Sequence, residues 1–262
     1  MIETKPLPLN PDGRLGHLTV DATDEPSRGV RHPGQRIGAQ ELLDNPPPPL
    51  RFVVDDLIPV GLTALSGRPK SGKSLLSLDL AVSVALGQDF LDLRTTAGGV
   101  LHFALEDGER RQSTRMQARA GTDPIVNLEI VFDGVHNLAD LLTIAQEWVD
   151  ECTNPRLIII DLYQYIAPKG RDAKDYSPVY DTLKELRSFA LKHNLAIVII
   201  HHTKKGNNQE TDVFDTPHGT TAITGACDTS LVLTRIKDSE NRLLSIRGRD
   251  IVNIVCYLLS GW

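Results

Sequence analysis

An α/β fold with a mostly parallel, doubly wound sheet is what this sequence predicts, on three observations. Apolar runs of strand length recur along the chain with helical stretches between them, and such alternation gives parallel strands joined by crossover helices. Several runs, among them LIII at 157–160 and AIVII at 196–200, are continuously aliphatic, the signature of strands covered on both faces. Residues 67–74 complete the phosphate-loop pattern G-x-x-x-x-G-K-[ST] as Gly67, Arg68, Pro69, Lys70, Ser71, Gly72, Lys73 and Ser74. An apolar strand run precedes the loop and an apolar helical run follows it, which is the context that the motif requires.

The elements follow in order. Residues 1–35 are rich in Pro, Asp, Arg and Gly, with scattered single hydrophobes and no period of 2 or 3.6. They bury too little to offset their ordering entropy and read as a flexible tail. A short helix is expected over Arg36–Asn45, stopped by the stiff linker Pro46–Pro49. Residues 1–49 are thus a tail and linker, and 50–262 the folded domain. Strands are expected at 61–65, 99–105, 127–132, 156–161, 195–200 and 230–235. Helices are expected at 75–86 closed by Gly87, at 108–120, at 138–150 capped by Asn137, and from Ser177-Pro178 to His193-Asn194. Beyond 230 the chain turns back on itself in antiparallel strands that end near Asp250.

Composition narrows the function. The formal charge of −6 excludes a generally basic coat, so any nucleic-acid contact must come from local clusters. Cys152, Cys227 and Cys256 lie far apart without C-x-x-C spacing, which suggests neither a disulfide framework nor a zinc site. No basic-then-apolar leader is visible, and no uncharged apolar run approaches the roughly 20 residues that span a bilayer. A cytoplasmic protein without a membrane partner is expected.

The loop 67–74 and Leu75 form the expected nucleotide cradle. Glycines let the backbone curl with successive N–H groups aimed inward at a polyphosphate, at the positive end of the next helix. Lys73 is expected to reach the β- and γ-phosphates and the Ser74 hydroxyl to ligate Mg²⁺. Asp161 ends the aliphatic strand Leu157–Ile160 and is expected to join Ser74 in the Mg²⁺ shell. Glu106 and Asp107 lie where another strand ends. An ATPase needs a carboxylate there to orient and deprotonate the attacking water, and Asp107 is expected to cap the following helix. That helix carries Arg110, Arg111, Arg115 and Arg119, either a solvated basic face or a subunit or nucleic-acid contact. His201 and His202 end the strand at 195–200. Without further ligands at metal spacing they suit a polar sensor of the γ-phosphate, or in one case a satisfied core histidine, better than zinc. Lys204 and Lys205 follow in one polar stretch, and Lys169, Arg171 and Lys174 lie in another. These either line a channel that tracks a phosphate backbone or are plain surface loops.

Taken in order, GRPKSGKS, LEDGERR, LIIID, IIHHTKKG, HGTTAITGACD before SLVLTR, and Ser245–Asp250 resemble the RecA-like hexameric ATPases of the RepA/DnaB kind. Within that group, the plasmid- and phage-associated RepA-like helicases are the most similar. The resemblance runs from about residue 50 to 250. It implies a RecA-like P-loop NTPase core, ATP and Mg²⁺ bound between subunits of a homo-oligomeric, hexameric ring, and action on single-stranded DNA beside replication proteins. It also implies Glu106 as the catalytic glutamate, His202 as part of the sensor before the DNA-side loop, and Arg247 and Arg249 as groups reaching into the neighbour's site. After Asp250 the run Ile251 to Trp262 departs from the charged strand pair usual in the family. Besides the motor, two other classes fit a P-loop: a regulatory nucleotide switch that binds proteins, and a small-molecule kinase. The paired acids and long strand-end loops disfavour the kinase.

Overall fold

The computed structural model describes residues 36–121, 123–168, 176–203, 223, 225–236, 239, 241–251 and 254–258. By its contacts the chain divides into residues 1–48 and 49–262. In the first unit a short helix, α1 (Ala39–Asp44), forms inside the expected range and buries none of its residues. The second unit is built on an eight-stranded sheet.

A two-stranded antiparallel ladder, β1 (Phe52–Val54) with β2 (Ile58–Pro59), precedes the sheet. The main strands are β3 (Gly61–Gly67), β4 (Gly99–Ala104), β5 (Leu128–Val131), β6 (Pro155–Asp161), β7 (Ala196–His202), β8 (Thr229–Arg235), β9 (Arg242–Gly248) and β10 (Ile254–Leu258). Their order is β10-β9-β8-β3-β7-β6-β4-β5. Neighbours from β8 to β5 are parallel, whereas β8, β9 and β10 pair antiparallel. The mostly parallel sheet with antiparallel C-terminal strands is as expected. β10 falls on the apolar run after Asp250.

Continuous aliphatic strands face two cores. Along β6, Leu157 and Ile159 join one buried cluster while Ile158 and Ile160 join the other; along β7, Ala196, Val198 and Ile200 alternate in the same way with Ile197 and Ile199. A two-residue period sends successive side chains to opposite faces, so both parities must be apolar when helices cover both. Helix α2 (Lys73–Leu86) covers the first face through Leu76, Leu80, Ala81 and Val84. Helices α4 (Leu138–Glu151) and α5 (Tyr176–His193) cover the second through Leu141, Ala145, Trp148, Leu183, Leu186 and Ala190. Each large aliphatic side chain fully buried contributes about 1.5–3 kcal/mol. Helix α3 (Glu109–Ala120) packs on α2.

The helix ends follow local chemistry. Gly87 closes α2 in the left-handed region (φ 67°), and Gln88 N donates back to Ser83 O at 2.9 Å, the glycine-closed end expected of it. Asn137 caps α4 by accepting from Asp140 N at 3.0 Å. Two expectations need correction. α5 begins at Tyr176, so Ser177 lies inside its first turn instead of capping it, and its hydroxyl meets Asp181 Oδ2 at 3.4 Å. Asp107 does not cap α3: the N-cap is Gly108, and Asp107 instead accepts from Arg111 and Arg115. The basic face of that helix is largely exposed, Arg110 and Arg111 included, while Arg119 reaches across to α2. Arg119 donates to Asp79, and to Gln88 and Ser83 at 3.1 and 3.0 Å, on and just beyond α2. Three of the four arginines thus pair with carboxylates of their own chain, and Arg119 is the one that ties α3 to the phosphate-loop helix.

No described helix is long and apolar enough to cross a membrane. Cys152 and Cys227 are free thiols, and among the described residues no group of three or more His, Cys, Asp or Glu could hold a metal.

Candidate nucleotide site

Register brings the site together. In the parallel pairings Gly67 lies opposite His202 on one side and Leu233 on the other, and Ala104 lies opposite Asp161. The carboxyl ends of β3, β7, β6 and β4 therefore stand side by side. That edge is where ligands bind in open α/β sheets. Loop 67–74, Glu106, Asp161, His201 and His202 all emerge there, although the sequence separates them widely.

Loop 67–74 curls as expected. Gly72 sits at φ 101° as the N-cap of α2, and Lys70 also adopts positive φ (62°). Ser71 N donates to Arg68 O at 3.2 Å, and Leu76 N to Gly72 O at 2.9 Å. Gly67 leaves no room for a side chain, since a Cβ there would stand 2.5 Å from Leu233 O. Helix α2 starts at Lys73, two residues earlier than expected, which puts the lysine in its first turn. Lys73 Nζ donates to Gly67 O and Arg68 O, each at 2.9 Å, so the ammonium is held across the loop's mouth. Burial lowers its pKa to about 8, against the opposing pull of Asp161 and Glu106.

Beside it, Asp161 is almost wholly buried, and burial raises its pKa to about 6; a hydrogen bond with the Ser74 side chain acts against that rise, while Glu106 and Asp107 add to it. Among the described residues, Asp161 Oδ1 has no hydrogen-bond partner. A buried carboxylate oxygen without a donor, next to a hydroxyl, fits a hard cation that takes two protein oxygens and completes its shell with water and phosphate. Ser74 and Asp161 are therefore the residues that would hold Mg²⁺.

Glu106 is half exposed, and its Oε2 stands 3.5 Å from His202 Nε2. Burial, with the charges of His202 and Lys73 near it, lowers the His201 pKa to about 4, so that ring is neutral at physiological pH. Gln164 Nε2 lies 3.3 Å from its Nδ1. The paired histidines divide their tasks. His201 is a neutral ring held by Gln164 and edge-on to Tyr163, whereas His202 faces the acid that follows β4.

Arg247 and Arg249 are elsewhere. β8 runs parallel to β3, and β9 returns antiparallel with Gly248 opposite Thr229. Both arginines thus lie at the end of the sheet opposite the chain's own phosphate loop. Arg249 Nη2 donates to Gly225 O at 2.9 Å, its Nη1 is 3.9 Å from Asp228 Oδ1, and about half of its side chain is exposed. Lys169, Arg171, Lys174, Lys204 and Lys205 lie outside the described residues. The described stretches before them end at Pro168 and Thr203, just after β6 with its 3₁₀ turn (Tyr163–Tyr165) and just after β7.

Two residues at the site escaped the sequence reading. Gln164 sits in the 3₁₀ turn after β6, where nothing in the pattern marks it. Arg242 opens β9, and its Nε donates to Ser71 O of the phosphate loop at 2.7 Å. No spacing rule links 71 to 242; only the sheet order brings them together.

Residues 31–208 match the AAA domain family. The fold is also that of a solved ATPase domain, which superposes at a TM-score of 0.63 and 12% identity over 76% of this chain and 81% of that one. A DnaB-like replicative helicase, solved in a study of its interactions with primase, superposes at a TM-score of 0.61 and 12% identity over 76% of this chain. The match spans only 55% of that helicase's length. The core is thus the RecA-like P-loop fold found in DnaB-like helicase ATPase domains, as the motif order implied.

Proposed function

The chain belongs to the AAA domain family and is a P-loop ATPase, and from that premise we propose that it works as an oligomeric, ATP-driven motor on single-stranded DNA. The observation that carries this reading is the division of charged groups between the two ends of one sheet. Lys73, Ser74, Glu106, Asp161 and His202 converge at the phosphate-loop end, and Arg247 and Arg249 stand at the other. An arginine finger in such a chain serves a neighbouring subunit's site, which makes the ring the working unit. We place it in a replicative setting in the cytoplasm, beside other replication proteins, a reading that the likeness to DnaB-like helicases supports.

Each residue then has a role. The backbone N–H groups of 67–74 and the Lys73 ammonium hold the polyphosphate. Ser74 and Asp161 hold Mg²⁺, which when bound neutralises charge on the phosphate oxygens. Glu106 orients the attacking water and takes its proton. His202, within reach of that acid, passes its state to the stretch that begins at Lys204. There, Lys204 and Lys205, with Lys169, Arg171 and Lys174, supply the phosphate-backbone contacts, which suits an otherwise acidic protein. Arg249, with Arg247 beside it, stabilises charge developing at the neighbour's site.

A regulatory switch that binds proteins instead of DNA shares every one of these nucleotide contacts. ATP turnover measured with and without single-stranded DNA separates the two. Strong stimulation is expected of the motor; turnover indifferent to DNA makes the protein a switch.

A further inference from the structure

We propose that Arg242 is a positioning residue for nucleotide binding, turning the Ser71–Gly72 peptide so that the Gly72 N–H faces the phosphates. This rests on the reading of 67–74 as the ATP cradle. Arg242 Nε donates to Ser71 O at 2.7 Å. In a planar trans peptide the carbonyl and the following N–H point in opposite directions. Anchoring the Ser71 carbonyl on the guanidinium outside the loop therefore aims the Gly72 N–H into its hollow. The side chain also lies over Gly72: a Cβ there would stand 3.1 Å from Arg242 Nε and 3.7 Å from its Cδ and Cζ. Gly72 thus answers two demands, a left-handed φ of 101° and the close approach of this arginine. Without the anchor the peptide is free to turn its carbonyl inward, where an oxygen would face anionic phosphate.

Arg242 is well placed to hold that peptide firmly. It opens β9, pairs across to Arg235 of β8 and is continuous with a strand whose Leu244 and Ile246 are buried in the core. A charge-assisted donor on a rigid strand orders the loop before nucleotide arrives, and preorganisation of this kind is expressed as affinity.

Two near-isosteric variants separate the hydrogen bond from charge and bulk. Arg242→Met keeps the length that covers Gly72 and removes the donor. Arg242→Gln places an amide N–H the same number of bonds from the backbone as the arginine Nε, without the charge. The full chain is assayed for ATP and ADP binding by calorimetry, for KM and kcat, and for amide exchange over residues 67–74, with circular dichroism to confirm folding. Arg242→Met is expected to weaken ATP and ADP binding and raise KM by about tenfold, with kcat within about threefold, since one charge-assisted hydrogen bond is removed from ground and transition states alike. Loop amides should exchange faster while the rest of the chain is unchanged. Arg242→Gln should recover binding to within about threefold of the native protein. Native affinity in Arg242→Met, a loss confined to kcat, or a glutamine variant as weak as the methionine one overturns the proposal. Failure of the native protein itself to bind ATP overturns the cradle reading instead.

Discussion

Two ends of the same sheet handle buried charge in opposite ways. At the phosphate-loop end Asp161 keeps an oxygen without a donor and has its pKa pushed up to about 6, while Lys73 is pushed down to about 8 and His201 to about 4. At the other end Asp228 is saturated. It accepts from Arg187 Nε at 2.9 and 3.0 Å and from Leu62 N at 3.1 Å, and Arg249 stands nearby. Gly61 at φ 124° makes room for it, because a Cβ there would stand 2.5 Å from Asp228 Oδ2. Among the described residues the Asp161 carboxylate keeps an oxygen that no protein donor serves, as suits a ligand site, whereas both oxygens of Asp228 have donors, which contributes to stability. On the proposed function a buried carboxylate serves the ligand at one end and the architecture at the other, and what separates them is the completeness of its hydrogen bonds.

Changes at the two ends should break this contrast in order of size. The largest is expected from Arg249→Ala, since the proposed function has its charge act only on the transition state of a neighbour. Hydrolysis should fall by roughly 10³–10⁵ while each subunit still binds ATP. Mixing it with Lys73→Ala subunits should restore turnover, because intact loops of one meet intact fingers of the other. Verified mixed oligomers that stay inactive, or full activity of Arg249→Ala alone, would leave Arg249 with its local contacts to Gly225 and Asp228 only.

Next comes Glu106→Gln, which keeps the shape of the side chain and loses the base. Turnover should drop by about 10²–10⁴ with nucleotide and Mg²⁺ binding retained. Should Asp107→Asn prove the damaging change and Glu106→Gln the mild one, the base is one residue further on. Asp107 is engaged by Arg111 and Arg115, which is why the prediction favours its neighbour.

The smallest effects, those on stability, sharpen the comparison most directly, because one substitution is made at both ends. Asp161→Asn removes a charge that burial disfavours, so the nucleotide-free protein should gain on the order of 1–3 kcal/mol at neutral pH while losing Mg²⁺-dependent hydrolysis. Asp161 binds its proton more tightly folded than unfolded. Its favourable contribution is therefore fully present below about pH 4 and lost as pH rises through about 6. The melting advantage of the variant should accordingly be largest above about pH 7 and shrink toward about pH 4. Asp228→Asn should instead cost about 1–3 kcal/mol and leave ATP binding intact. Thermal melts of both variants at neutral pH, with that of Asp161→Asn repeated near about pH 4, check the pair. Equal signs would remove the distinction between the two carboxylates.

Much of this was legible in the chain itself, because local patterns carry it. The loop 67–74 needs its glycines and lysine at fixed offsets. The aliphatic runs at 157–160 and 196–200 announce strands covered on both faces, and Gly87 and Asn137 mark helix ends by conformations and side-chain bonds that act over a few residues. Motif order was enough to nominate Glu106, Asp161 and His202. Tertiary structure alone decided which charges answer which. Whether Arg119 faces solvent or holds Asp79 depends on how α3 lies on α2. Arg242 meets Ser71 only because β9 enters the sheet two places from β3, which returns it to the phosphate-loop end. The same antiparallel return carries Arg247 and Arg249 to the far end, away from their own loop. Periodicity and capping are short-range and survive in a linear reading, whereas ion pairing and site completion depend on distances set by strand order and register, which no spacing along the chain encodes.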